Sequence, residues 1–408
     1  MAQLTKTDII TAAFRTWGRM FYQQTSLSPL ARNLGVTKAA LYRHFKNKQA
    51  LLDAMYGSFF TQFTAFIKPG YTKALETADL TERQFVMIRT IVEYYARNMD
   101  AFIFSLFMVY GRREAEQLMA EWNRWGIDMR KIRPPDEDVK TYPPMLQLIL
   151  VSLTFWVASF HKHSHAPDET PSDEQVQGLI RWIEAKIAGG LGLRRDIVDR
   201  INFEELEKAL PHGLLDTPEN EGLHQAVAGA VAEAGPWNAT MDMVARRSGL
   251  SKSGLYAHFK NKQDMLEQLF LTEFERIVTY AEAAIQASAV PEEQFYLAIA
   301  GVADYLRSRP EILTALDWLR TRRIAPRCSS PPRIYRIFLD IKIDSNEVLE
   351  GLSEALKEQT SQWILFLTAN VLMRWPKDMA LSELPNKSLR ILYKFIALGI
   401  NGYKSCYQ

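Results

Sequence analysis

The sequence predicts an all-α protein built as two copies of one plan. Three observations carry that prediction. One stretch of eighteen residues occurs twice, apolar side chains recur at helical spacing almost throughout, and turn-forming residues collect in four short segments. The 408 residues are 47% hydrophobic, enough for packed cores and for two or three domains of about 150 residues each. That composition excludes disordered, collagen-like and small disulfide-framework classes.

The repeat comes first because it sets the architecture. Residues 35–52 read GVTKAALYRHFKNKQALL and residues 249–266 read GLSKSGLYAHFKNKQDML, eleven identities in eighteen positions at an offset of 214. Val36 against Leu250, Thr37 against Ser251 and Leu51 against Met265 are mild changes. Upstream, Ala31-Arg32 faces Ala245-Arg246, and downstream Tyr95-Ala96-Arg97 faces Tyr305-Leu306-Arg307 at an offset of 210. Each half closes with an amphipathic run ending in glycine, Leu179–Gly192 and Leu389–Gly402. A period this long indicates duplication of a whole domain of about 200 residues rather than a solenoid. Pro211, Gly213, Pro218 and Asn220 interrupt the helical pattern between the halves.

Within each copy the order is short helix, glycine, short helix, aromatic cluster, longer helix. Ser26 or Ser28 can cap a helix that turns Leu30, Ala31 and Leu34 inward, and Gly35 supplies a turn at positive φ. Thr37 then caps the next helix, and Thr240, Gly249 and Ser251 repeat the logic. Two helices joined by a short glycine-containing turn place the second helix in a DNA major groove. Leu41 and Phe45 (Leu255 and Phe259 in the second copy) face inward, so Lys38, Tyr42 and Arg43 point outward with His44 near the helix end. Such residues neutralise phosphates, read guanine, or donate neutral hydrogen bonds to phosphate oxygens. A core position satisfied by hydrogen bonds is the other reading for His44 and His258. Lys46 and Lys48 open the next helix, where backbone N–H groups favour an anion. Residues 1–60 hold eight Lys/Arg and two Asp, whereas residues 219–270 hold five Lys/Arg and six Asp/Glu. With 49 Lys+Arg against 47 Asp+Glu overall, nucleic-acid binding must come from local patches.

The runs Thr37–Lys48 and Ser251–Lys262, with their shared leucine-tyrosine-x-histidine-phenylalanine-lysine-asparagine-lysine core, resemble the tetracycline-repressor (TetR) family of transcriptional regulators. The resemblance covers about 45–55 residues of each half. It implies a three-helix DNA-binding head followed by a larger helical ligand-binding and dimerisation domain, with the chain equivalent to two family members fused. On that reading residues 1–50 form the first head, 51–205 the first regulatory domain, 206–218 a linker, 219–264 the second head and 265–408 the second regulatory domain. DNA-contacting residues are then Thr37, Lys38, Tyr42, Arg43, His44 and Lys48, with Ser251, Lys252, Tyr256, His258 and Lys262 in the second copy. Family members pair through two long helices per protomer. Here the candidates are Met145–Phe160 with Leu179–Gly192, and Gln362–Arg374 with Leu389–Gly402. Pairing inside one chain makes a pseudo-dimer; the competing arrangement is a dimer of the tandem chain.

The two copies differ where they would read DNA. Arg43 is matched by Ala257 and Ala40 by Gly254, Arg15 and Arg19 have no basic counterparts, and Phe21 stands where the family has a turn glycine that the second copy keeps as Gly235. Unequal heads imply an imperfect palindrome, with the first copy contributing more affinity. The function expected is a ligand-responsive repressor; the alternative is a small-molecule or partner sensor with one or both heads vestigial. Spaced aromatics usually form core; the resemblance also implies a hydrophobic or aromatic effector whose pocket a minority of them would line, and Phe102, Phe107, Tyr110, Trp122, Phe155, Trp318, Trp363 and Phe366 are the candidates.

Other chemistry is not expected. The sequence holds no Gly-rich phosphate loop, nucleophile elbow or His-Glu-x-x-His motif, so no enzyme and no cofactor are predicted. His161, His163 and His165 could ligate a metal only from an extended backbone, and beside the polar run Ala166–Glu174 they read as a solvated loop. Cys328 and Cys406, far from any Cys-x-x-Cys spacing, read as free thiols of a reducing compartment. Met1–Ala13 reads as an amphipathic helix rather than an export signal, and the uncharged run Met145–Phe160 has 16 residues against the about 20 of a membrane span. A cytoplasmic protein is expected. Ile334–Ile343 alternates enough to permit a strand.

Overall fold

The computed structural model describes residues 4–19, 26–110, 115–132, 144–163, 169–211, 221–315, 333–339, 341, 353–373 and 386–406. It divides into two compact units, one of residues 1–138 and 153–184, the other of residues 139–152 and 185–408. The described residues are helical and turn structure, with no strand among them. Residues 333–339, where the alternation permitted a strand, form a 3-10 turn at Arg333–Tyr335 followed by further turns. Ile334, Ile337 and Phe338 are all buried there.

The first unit opens with α1 (Lys6–Arg19), α2 (Leu27–Asn33) and α3 (Lys38–His44). Next come α4 (Lys48–Glu76), α5 (Leu80–Arg97), α6 (Met99–Phe104), a π-helical turn at Ser105–Tyr110 and α7 (Ala115–Arg124). Helices α4 and α5 form its backbone, packed along each other. Their apolar residues follow a period near 3.6: Leu51, Leu52, Met55, Phe59, Phe60, Phe63 and Ile67 on α4 all lie inside. Asn47 and Asp79 end the preceding turns by accepting the orphan N–H groups of Ala50 and Glu82.

Helices α8 (Met145–His163) and α9 (Asp173–Gly189) follow, and the division between units falls within both. By length and composition α8 could cross a membrane, yet most of it is buried in the protein, as a core helix is. His161 and His163 lie in its last turn, not in a solvated loop. His161 is buried, with Nε2 2.8 Å from the Tyr95 carbonyl oxygen, while His163 is exposed. The apolar run Met145–Phe160 keeps the helix going past the point where the histidines begin. His165 lies outside the described residues. Trp156 of α8 meets Trp182 of α9 edge-on at 5.4 Å.

In the second unit α10 (Arg195–Val198) and α11 (Phe203–Lys208) precede the repeated plan, and residues 212–220 of the intervening segment lie outside the described ones. The plan then recurs as α12 (Glu221–Asn238), α13 (Met241–Ser248), α14 (Lys252–His258), α15 (Lys262–Ile285) and α16 (Pro291–Ser308). The last two long helices are α17 (Glu354–Met373) and α18 (Asn386–Lys404), which pack on each other and on α16. The segment after α9 also belongs here. Leu191 N–H donates to the Ile396 carbonyl (2.8 Å) and Leu193 N–H to that of Ala397 (3.2 Å), joining the end of the first half to α18. Trp363 of α17, fully buried, donates its indole N–H to Ser152 Oγ at 3.0 Å, and Gln147 donates to Asn370 Oδ1 at 3.1 Å.

Candidate nucleic-acid interface

Each head is shaped by the same four local devices. In the first, Ser26 Oγ accepts from Ser28 N–H and starts α2. Gly35 takes φ 65°, a conformation that costs an L side chain strain but costs glycine none. Thr37 Oγ1 accepts from Ala40 N–H (3.2 Å) and starts α3; Asn47 Oδ1 accepts from Ala50 N–H (2.8 Å) and starts α4. In the second head Thr240 caps α13 through Met243 N–H, Gly249 takes φ 70°, Ser251 caps α14 through Gly254 N–H (3.0 Å), and Asn261 caps α15 through Asp264 N–H (3.0 Å). Gly235 breaks α12 at φ 76°. Phe21, its first-copy counterpart, lies outside the described residues.

Burial then decides which face of the second helix is free. Leu41 and Phe45 are buried against the head's core, as are Leu255 and Phe259. The opposite face of α3 presents Thr37, Lys38, Tyr42 and Arg43 to solvent, and that of α14 presents Ser251, Lys252, Tyr256 and His258. Tyr42 is 49% exposed and Tyr256 51%, large aromatic surfaces that a solvated helix has no packing reason to display. His44 is half-exposed and His258 exposed, so neither is a core histidine. Lys48 and Lys262 are half-buried, Lys48 with its ammonium 6.0 Å from the Trp17 ring centre. Burial pulls the Lys262 pKa down.

The family model for "Bacterial regulatory proteins, tetR family" matches residues 9–55 and again residues 227–269. The chain thus carries a unit of the tetR type twice, once at the start of each half. Two relatives, both of Pseudomonas putida, are 42% identical to it over 59 residues: the HTH-type transcriptional regulator TtgR and the probable HTH-type transcriptional regulator ArpR. Those matches span 14% of this chain and 28% of each relative's length.

The two tetR-type heads are not electrostatically equal. In the second, Lys252 Nζ lies 3.1 Å from Asp242 Oδ2, and Arg247 pairs with Glu233. Asp264 accepts from Lys260 N–H at 2.8 Å, in the first turn of α15. At the offset of 214 the first copy has Ser28 where the second has Asp242, Arg19 in place of Glu233, and Ala50 in place of Asp264. The second head therefore carries acids beside its cations where the first has none, and Asp242 and Asp264 both lie in the first turn of a helix, where backbone N–H groups favour an anion. Sequence reasoning singled out the cations and passed over Asp242 and Asp264. Aligning the copies position by position, rather than summing charge, would have found them.

The candidate pocket residues divide between the units. In the first, Phe102 and Trp122 are buried in a continuous aromatic core: Phe102 meets Tyr95 at 5.5 Å, and Phe63 meets both Tyr95 (5.4 Å) and Trp122 (5.2 Å). Phe155 is half-buried and edge-on to Trp156. The π-helical turn at Ser105–Tyr110 borders this core, with Tyr56 Oη donating to the Met108 carbonyl. In the second unit Trp363 is buried and Phe366 half-buried. The side chains of Phe107 and Tyr110, and the whole of Trp318, lie outside the described residues.

Proposed function

We propose that this chain is a cytoplasmic, DNA-binding transcriptional repressor of the tetR family that addresses an imperfect palindrome with two unequal heads. One observation carries the reading. Both heads keep the same capping frame, and each turns an exposed Lys and Tyr outward from a buried Leu/Phe pair, while Arg43 faces solvent in one copy and Ala257 in the other. Arg43, Lys38 and Lys252 are the side chains for base edges or phosphates. Thr37, Tyr42, His44, Lys48, Ser251, Tyr256, His258 and Lys262 position the backbone. The names of the two relatives are consistent with regulation by a helix-turn-helix.

A single-chain pseudo-dimer is the arrangement we favour. Its support is the backbone pairing of Leu191 and Leu193 with α18, together with the Trp363–Ser152 hydrogen bond. An apolar or aromatic effector in the helical part would act by binding a head spacing unfit for the operator more tightly than the fit one. Phe102, Trp122, Phe155, Trp363 and Phe366 remain the residues to probe, with a π-helical turn directly after the helix of Phe102, of the kind often found at functional sites.

Selection of sites from random duplex DNA, with molar mass measured on the same sample, tests the reading. An asymmetric enriched site bound by a 46.8 kDa particle is expected. A symmetric site bound by a particle of twice that mass would replace it with a dimer in which one head per chain reads DNA. A second reading, a second head that contributes little, is favoured by the hold of Asp242 on Lys252. It predicts an enriched site with only one defined half.

A further inference from the structure

Two arginines of the second unit grip a carboxylate in the same way. Arg194 donates from Nε and Nη2 to the two oxygens of Glu292 at 2.7 and 2.9 Å. Arg390 donates from Nε and Nη2 to the two oxygens of Glu207 at 2.8 and 2.7 Å. That edge of a guanidinium carries two parallel N–H bonds whose spacing matches the two oxygens of one carboxylate. Arg307 departs from the pattern. Its Nη1 donates to Asn386 Oδ1 at 2.9 Å, but Nε and Nη2 are buried and find no acceptor among the described residues. Burial without an acceptor drags its pKa down. Buried charged donors without acceptors are costly and call for an explanation.

The repeat sharpens the point. Arg97 holds the equivalent place, 210 residues earlier in the recurring Tyr-x-Arg. There Nε donates to Glu93 at 3.2 Å and Nη2 to Asp173 at 2.8 Å, so both atoms of the edge are occupied by acids. In the second half the residue at the place of Glu93 is Ala303, and α18 begins with Asn386 where α9 begins with Asp173. The neighbouring acids are engaged elsewhere. Asp304 accepts from Tyr280 Oη at 2.5 Å, and Glu207 accepts from Arg390, Asn386 and Tyr296.

We propose that the Nε–Nη2 edge of Arg307 binds the carboxylate of a small, otherwise apolar acid, and that this acid is an effector of the second half. The proposal rests on the regulatory reading above and names its ligand class. A monocarboxylate fits the two parallel donors. A phosphate dianion would set two charges beside Asp304 and Glu207 and would have to give up a larger hydration shell in a buried place. The body of the acid is apolar because the edge itself is buried, and a polar body would lose its hydration there. Arg307 lies in the last turn of α16, which packs along α15, and α15 starts at the Asn261 cap of the second head. An acid that binds one setting of α16 better than another therefore biases the head through a contiguous pair of helices.

Calorimetric titration of the full chain with benzoate, hexanoate and decanoate, each against its neutral amide, tests the site. At least one acid is expected to bind, with its amide about tenfold or more weaker. Arg307→Met should abolish that difference, and Arg307→Lys, which keeps the charge but loses the paired edge, should weaken the acid about tenfold. Arg97→Met should leave it unchanged. Binding of none of the acids, or equal binding to the Arg307→Met and wild-type chains, would overturn the proposal. Operator binding measured on the same preparations separates the two failures: DNA binding indifferent to every acid defeats the ligand assignment and leaves the regulator intact.

Discussion

Gly190 and Gly399 close on each other so tightly that neither position has room for a side chain. Both hold positive φ, 63° and 65°. A Cβ on Gly190 would collide with the Ile396 carbonyl oxygen and lie 2.6 Å from the amide nitrogen of Gly399; one on Gly399 would collide with the backbone of Ile187 and Ala188. The pair brings the C-terminal end of α9 against α18, and the hydrogen bonds from Leu191 and Leu193 to α18 follow immediately.

Substitution Gly399→Ala should therefore destabilise the chain by at least about 2 kcal/mol, from left-handed strain and a backbone collision together. Chemical denaturation reads the loss. An unchanged unfolding midpoint would mean that the two segments do not approach as described.

The indole of Trp363 provides a second probe of the same unit. Ser152 Oγ accepts from Trp363 Nε1 while donating to the Leu148 carbonyl at 2.8 Å, all of it buried. Ser152→Ala strands the indole N–H and should cost about 1–3 kcal/mol. The double change with Trp363→Phe should cost less than the two single changes added, since the stranded donor is then gone; strict additivity would argue against the bond.

At the DNA surface the two heads should respond differently. Tyr42→Ala should weaken binding across many sequences, whereas Arg43→Ala should relax preference in one half-site by about 1–3 kcal/mol. Equal losses on every sequence for Arg43→Ala would remove its base-reading role. Asp242→Asn frees Lys252 from its 3.1 Å partner and should steepen the dependence of log K on log salt by up to about 0.9. No change in slope would mean that Lys252 does not reach a phosphate.

Acid should loosen the second unit through Glu273. Burial raises this carboxyl's pKa, but the adjacent His224, the hydrogen bond from Tyr305 and the charge of Arg309 outweigh it, and the folded pKa lies below the ordinary value. Glu273 Oε1 is 3.3 Å from His224 Nε2 and 3.1 Å from Arg276 Nη1, and Tyr305 Oη donates to Oε2 at 2.7 Å. Because the unfolded chain binds this proton more readily, the contribution is present above about pH 4.3 and is lost as pH falls through the folded value. Glu273→Gln should flatten the fall in stability with acid over that range. The same acid slope in both proteins would assign the sensitivity to other carboxylates.

Much of the reading head was legible because its determinants are local. A cap needs only an oxygen and an N–H two or three residues on, and Thr37, Ser251, Thr240, Gly35 and Gly249 all act within a few residues of themselves. The heptapeptide helices α3 and α14 show their inner and outer faces in the spacing of Leu41 and Phe45, or Leu255 and Phe259. The histidine run misled because neighbouring polar residues suggested a loop, while the apolar periodicity of α8 carried the helix three residues further and buried His161 against the Tyr95 carbonyl. The acids of the second head escaped because net charge averages over positions, and only the placement of Asp242 beside Lys252 gives it an effect.

The sequence by itself determined that this chain is helical, that it carries one plan twice, and that each copy holds a helix-turn-helix of the tetR type. Those properties rest on periodicity, capping chemistry and the repeat, each written within a few turns of helix. Tertiary structure decided what lies far apart in the chain. It set Leu191 against Ile396, Trp363 against Ser152 and Glu207 against Arg390, and it left Arg307 with two buried donors where Arg97 has its acids. Contacts across one or two hundred residues depend on how whole helices pack, and no local pattern of spacing encodes which side chains such packing will bring together.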